Sequence, residues 1–148
     1  MLRETKQDKQ NELKLIKAFA SLTSLNYQQN MTHTKYRIDG WLYDDNKSVK
    51  AWLECKWYGD NKKAYLAMNP PKFKELVMLS LITGIKSYFI IREHGRWGYI
   101  QLHSGNKITA KYSTVIAGGT PKGRKANPDD IEPLIKFDYS QVRWQKSH

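Results

Sequence analysis

The sequence has one cysteine, few acidic residues and no long apolar segment, and each shortage excludes a class of protein. A single cysteine in 148 residues cannot form an internal disulfide, so we expect a reducing, intracellular compartment such as the cytoplasm. The first ten residues are polar and charged, unlike a secretory signal. We find neither an apolar run long enough to cross a bilayer nor a basic amphipathic helix, and therefore expect no membrane partner.

The shortage of acids leaves a large excess of positive charge. The chain has 25 Lys and Arg against 14 Asp and Glu, a formal net charge of +11. An excess of this size favours a polyanionic partner, with nucleic acid as the leading candidate. The length suffices for one domain with a buried core, so residues 1–148 are predicted to form a single domain.

Hydrophobic periodicity predicts the order helix, two or three strands, helix, two strands. Residues 1–10 are expected to be frayed, and an apolar stripe indicates a first helix over residues 11–24. Residues 24–30 could form a short strand. Residues 35–43 and 48–58 alternate as strands around the turn at 44–47, which predicts an antiparallel hairpin.

The second half begins with a basic segment, residues 59–68, that we expect to be irregular. Asn69-Pro70-Pro71 is typical of a helix start, and Gly84 is a plausible end. Two strands follow at 86–92 and 97–103, and the helix between strands predicts one parallel pairing in a mixed sheet. Beyond them, residues 111–117 are expected as a strand and residues 131–137 as the closing strand.

A carboxylate pair and an ammonium are predicted to meet on the hairpin. Side chains alternate between the faces of a strand, so Glu54 and Lys56 share one face and Cys55 points to the other. Asp39 is about as far from the turn as Glu54, and the two could share a hard cation that activates water. Glu12 lies on the apolar stripe of the first helix, where it is either a functional acid or an ordinary first-turn acid.

These residues, quoted as Ile38-Asp39-Gly40 and Leu53-Glu54-Cys55-Lys56, resemble the PD-(D/E)xK nuclease superfamily from the first helix to about residue 103. The proline of that motif is replaced by Ile38. The resemblance implies an α/β fold with a restriction-endonuclease-like αβββαβ core over about 11–103, a mixed sheet flanked by helices. Residues 104–148 would be a C-terminal extension, similar to the tails of small bacteriophage nucleases.

The resemblance also implies roles for individual residues. Asp39 and Glu54 would hold Mg²⁺ or Mn²⁺, with the carbonyl of Cys55 as an extra ligand. Lys56 would activate the attacking water. Glu12 matches a first-helix glutamate that many members of the superfamily use, including Holliday junction resolvases. The implied activity is metal-dependent endonucleolytic cleavage of DNA, with branched DNA as the leading substrate.

Two other functions stay open on the sequence. One is a homing or restriction-type endonuclease, and the other is a basic nucleic-acid-binding protein without catalysis. Both the junction-selective and the site-specific endonuclease would tend to act as a homodimer or higher homo-oligomer, because cutting two strands requires two sites. Candidate phosphate contacts, whose alternative role is solubility, are Lys62, Lys63, Lys72, Arg92, Arg96, Lys122, Arg124 and Lys125.

Overall fold

The computed structural model describes residues 5–31, 38–58, 65–117 and 132–146, which form two α-helices and two β-sheets. The helices are α1 (Lys6–Thr23) and α2 (Pro70–Thr83). The strands are β1 (Asn26–Gln29), β2 (Gly40–Tyr43), β3 (Val49–Trp57), β4 (Leu66–Met68), β5 (Lys86–Glu93), β6 (Arg96–Ser104), β7 (Lys107–Ile108), β8 (Tyr112–Ala117), β9 (Glu132–Phe137) and β10 (Arg143–Gln145).

The larger sheet is mixed and has seven strands in the described part of the chain. Its order is β1-β2-β3-β5-β6-β10, and β7 pairs with β6. The β2–β3 hairpin is antiparallel and β3 runs parallel to β5, as predicted. This arrangement confirms the α/β core with a mixed sheet flanked by helices.

The two helices cover opposite faces of the sheet because β3 alternates between two apolar clusters. Leu53 packs with Ile16 of α1, whereas Trp52 packs with Phe73 and Leu76 of α2. The apolar stripe of α1 and the first turns of α2 therefore pack against opposite faces of β3. Neither described helix is long and apolar enough to span a membrane.

The start of α1 differs from the prediction. The helix begins at Lys6, five residues before the expected start at Asn11, and includes residues expected to be frayed. Thr5 caps it, because the Thr5 side chain accepts from the Asp8 N–H while Asp8 accepts from the Thr5 N–H. This reciprocal cap ties down a polar turn that apolar periodicity does not detect.

The last third of the chain also differs from the prediction. Residues 66–68, expected to be irregular, form β4, which pairs with β9, and β9 pairs with β8 in a second, three-stranded sheet. The predicted strand at 131–137 therefore does not close the main sheet. That edge is closed by β10, which pairs with β6 and was not predicted.

Candidate active site

The β2–β3 pairing brings Asp39 beside Glu54. Gly40 lies opposite Leu53 in the register, and the Asp39 N–H donates to the Leu53 carbonyl at 3.0 Å. The Cys55 N–H in turn donates to Asp39 Oδ2 at 2.8 Å. Asp39 and Glu54 are both buried, with 4% and 6% of their surfaces exposed. The two acids predicted to act together are thus adjacent, at the point where β2 begins.

Asp39 is held in place by the end of β1. The Asn30 N–H donates to the Asp39 carbonyl at 2.8 Å, and Asn30 Nδ2 donates to the Ile38 carbonyl at 3.0 Å. Next to Asp39, a Cβ on Gly40 would lie 2.6 Å from the Gln28 carbonyl oxygen. A glycine here allows β1 to approach closely enough to make these hydrogen bonds.

Glu12 reaches the same acids from α1. Its Oε2 accepts from Gln29 Nε2 at 2.7 Å and from Lys9 Nζ at 3.1 Å, and its carboxyl hydrogen-bonds with that of Asp39. Burial, together with the neighbouring Asp39, raises the pKa of Glu12 to about 8. The inward-facing acid of the first helix therefore lies beside Asp39, within the cluster.

The three carboxyl groups compete for protons. Burial and then the charge of Asp39 raise the pKa of Glu54 well above its usual range. Burial acts on Asp39 in the same direction, but the hydrogen bond from Glu12 and the charge of Lys72 outweigh it, so the pKa of Asp39 is lowered. The raised pKa values of Glu12 and Glu54 beside the lowered pKa of Asp39 indicate that the acids share protons.

The donor set fits a small, hard cation. Oε1 of Glu54 is buried and receives no hydrogen bond within the described residues. Those same residues contain no group of three His, Cys, Asp or Glu side chains placed to hold a metal ion. A metal held here would depend on the two carboxylates of Asp39 and Glu54, with water, phosphate or main-chain oxygen completing the shell, as Mg²⁺ commonly accepts.

Two lysines of the described segments line the cleft, and they differ in their contacts. Lys56 is exposed and lies 5.9 Å from the Tyr58 ring centroid. Lys72, predicted only as a phosphate contact, instead places Nζ 2.9 Å from Glu54 Oε2. Burial opposes charge on Lys72, but the charges of Glu54 and Asp39 outweigh it and raise its pKa.

The position of Lys72 in the sequence carried a signal. Asn69 caps α2 by accepting from the Lys72 N–H at 2.9 Å, so Lys72 lies in the first helical turn. A cation is disfavoured there by the helix dipole, and this points to a nearby acid. No comparable signal existed for Gln29, whose contact with Glu12 depends on how β1 packs against α1.

Comparison with known families agrees with this constellation. The family model described as "Phage putative PDDEXK endonuclease" matches residues 2–144. The chain belongs to this PDDEXK family. Comparisons with curated proteins and with solved structures gave no match. PDDEXK nucleases generally use divalent metal ions, in agreement with the oxygen-rich donor set around Asp39 and Glu54.

Asp39, Glu54 and Glu12 line an open cleft of about 800 Å³. Although the chain carries a net charge of +11, the described residues that line the cleft include more acids than lysines. The acids are Asp8, Glu12, Asp39, Glu54 and Glu132, and the lysines are Lys56 and Lys72. A cleft of this charge in a basic protein suits a cation bound inside and a polyanion bound around it.

Cys55 points to the face of β3 opposite Glu54, as strand alternation predicted. Its side chain packs against the α1 side of the sheet, where Leu53 and Ile90 also lie. Burial and the surrounding carboxylates raise the pKa of the thiol well above its usual value. A thiol that resists ionisation is a poor nucleophile, so only the main-chain carbonyl of Cys55 remains as a predicted participant.

The other predicted DNA contacts are dispersed. The Arg92 guanidinium stacks 4.2 Å from the centroid of Trp57, a residue of the cleft lining. Arg96 stacks 3.7 Å from the Trp144 centroid and pairs with Glu93 at 3.4 Å. The remaining candidates fall outside the described residues, and they are Lys62, Lys63, Lys122, Arg124 and Lys125.

Proposed function

We propose that the chain is a metal-dependent endonuclease that hydrolyses phosphodiester bonds in DNA. The observation that carries the proposal is the buried pair of Asp39 and Glu54 in an open cleft, where one oxygen of Glu54 lacks a hydrogen-bond donor among the described residues. Buried charges are costly unless they are paired or bind a metal. Membership of a PDDEXK endonuclease family supports nucleolytic chemistry at this cleft.

Each residue of the cluster has a separate role. Asp39 and Glu54, with the Cys55 carbonyl, would hold Mg²⁺ or Mn²⁺, which when bound acidifies water and neutralises charge at phosphate. Lys56, at the exposed side of the cleft, directs the attacking water or takes its proton. Glu12 orients Asp39 through their hydrogen bond. Basic side chains outside the cluster hold the DNA by its phosphates.

We further propose branched DNA as the preferred substrate and a homodimer or higher homo-oligomer as the acting form. The buried Glu12 supports the first point, because it matches the first-helix glutamate of junction resolvases. Two active sites would be required to cut both strands of a junction or duplex. A sequence-specific endonuclease and a DNA-binding protein without catalysis are the alternatives that the experiment must separate.

The test is cleavage of branched, linear and single-stranded DNA by the purified protein, in Mg²⁺ or EDTA. We expect cutting that needs the metal, is fastest on branched DNA and is lost in Glu54→Ala and Lys56→Ala, with DNA binding largely retained. Glu132→Ala is the matched acid control, because Glu132 lines the same cleft and is exposed. Lys74→Ala, on the exposed side of α2, is the matched lysine control.

Three results would decide against parts of the proposal. Cutting that persists in both Glu54→Ala and Lys56→Ala would reject the assigned site. Binding without cutting on every substrate would favour the non-catalytic alternative. Cutting of one linear sequence in preference to junctions would favour a site-specific endonuclease.

A further inference from the structure

Lys72, at the start of α2, forms an ion pair with Glu54 of β3. Its Nζ lies 2.9 Å from Glu54 Oε2, and the two side chains are 31% and 8% exposed. The other oxygen of Glu54 has no hydrogen-bond donor within the described residues. The ammonium of Lys72 therefore provides Glu54 with the positive partner that a bound metal ion would otherwise supply.

The position of Lys72 is enforced by the start of α2. Asn69 caps the helix, and the prolines at its first two positions restrict the backbone just before Lys72. A lysine in this first turn is disfavoured by the helix dipole, so its attraction to the acids must compensate. The ammonium lies close enough for Glu54, Asp39 and Glu12 all to act on it electrostatically.

A divalent ion and this ammonium would compete for the same carboxylate. Mg²⁺ binds carboxylate oxygens at about 2.0–2.1 Å, so an ammonium held on Glu54 would lie within a few ångströms of it. Like charges at that separation repel each other, and the burial of Glu54 reduces screening by water. Lys72 is flexible beyond its Cβ and about a third exposed, and its side chain can therefore swing into the open cleft.

We propose that Lys72 is a built-in counter-ion that pairs with Glu54 in the metal-free protein and leaves this carboxylate when metal binds. This inference rests on the proposed function, because it assumes that Asp39 and Glu54 hold the metal. The displaced ammonium moves into the cleft, where a scissile phosphate is its natural partner. Metal loading and phosphate binding are thereby coupled through one side chain.

The test is the affinity for Mn²⁺, measured by calorimetry on the DNA-free protein. Coupled ligands commonly change each other's affinity by about 5–150-fold, so we expect Lys72→Met to bind Mn²⁺ about tenfold more tightly than the wild type. Lys74→Met is the matched control, because it removes one positive charge from the same helix. Lys74 is exposed, and the ion pair with Glu54 is made by Lys72, so we expect Lys74→Met to stay within about twofold of wild type.

A second readout guards against a folding defect. In EDTA, Lys72→Met should melt at a lower temperature than the wild type because Glu54 loses its partner, and Mn²⁺ should then raise its melting temperature by more. Lys72→Arg keeps the charge and should bind Mn²⁺ no more tightly than the wild type.

The failures of this inference and of the proposed function are distinguishable. Equal or weaker Mn²⁺ binding by Lys72→Met, with binding intact in the wild type, overturns the counter-ion alone. An equal gain in Lys74→Met also overturns it, since a general effect of positive charge would then explain the tighter binding. If neither the wild type nor any variant, including Lys72→Met, binds Mn²⁺, the result rejects the metal site and both proposals that depend on it.

Discussion

Replacing Gly40 with alanine tests how closely β1 must approach the acid cluster. The new Cβ would lie 2.6 Å from the Gln28 carbonyl oxygen and 3.0 Å from Ile16 Cδ1. A backbone oxygen cannot rotate away, so β1 or the start of β2 must shift. Overpacking of this kind costs about 1–3 kcal/mol. For a chain of this size, each kcal/mol lowers the Tm by about 2–4 °C.

The shift should damage function more than stability, because Asp39 directly precedes Gly40. A misplacement of about 1 Å can cost about 100-fold in rate, and we expect at least that loss of metal-dependent cleavage in Gly40→Ala. The matched control is Gly98→Ala, whose Cβ would lie 2.8 Å from the Arg143 carbonyl oxygen. Gly98 pairs with Trp144 at the other end of the sheet, and its variant should be similarly destabilised but remain active.

The assays are urea or thermal unfolding in EDTA and cleavage at a temperature at which both variants are folded. Two results would refute the reasoning. If Gly40→Ala is as stable and as active as the wild type, the approach of β1 does not exclude a side chain at position 40. If Gly98→Ala loses as much activity as Gly40→Ala, general loosening of the sheet explains the loss, and the position of Asp39 does not.

Two further perturbations test other buried acids. Tyr139→Phe removes the hydroxyl that donates to Oε2 of the fully buried Glu93 at 2.6 Å. Urea unfolding should show that the free energy of unfolding falls by about 1–3 kcal/mol. Tyr112→Phe, at an exposed ring, is the control and should change it little. An equal effect of the two would contradict a specific role for that bond. Glu12 keeps its proton to about pH 8 when folded and to about 4.5 when unfolded, so its contribution to stability is present below about 4.5 and lost as pH rises towards 8. In EDTA the unfolding free energy should therefore fall over this range, and a slope unchanged in Glu12→Gln would contradict the assignment.

Local sequence rules account for the acid pair. Strand alternation placed Glu54 on the face opposite Cys55, and the polar turn at 44–47 set the hairpin that brings Asp39 beside Glu54. The cap at Asn69 and the end at Gly84 were likewise readable, because each depends on a few consecutive residues. The same applies to the Thr5 cap, which apolar periodicity overlooked although Thr5 and Asp8 stand at the required spacing.

Only the tertiary structure determined which distant segments of the chain pair with each other. The pairing of β4 with β9 links residues about seventy positions apart, and no local pattern specifies such a partner.

The amino-acid sequence by itself determined which residues could share a strand face and which faces were apolar, because both follow from backbone periodicity. Only the packing of α2 against β3 determined that Lys72 contacts Glu54 while Lys56 remains exposed. The contact between an ammonium and a carboxylate extends over a few ångströms and depends on the angle and depth at which a helix docks. That docking is the outcome of the whole core, to which every apolar side chain in the interface contributes.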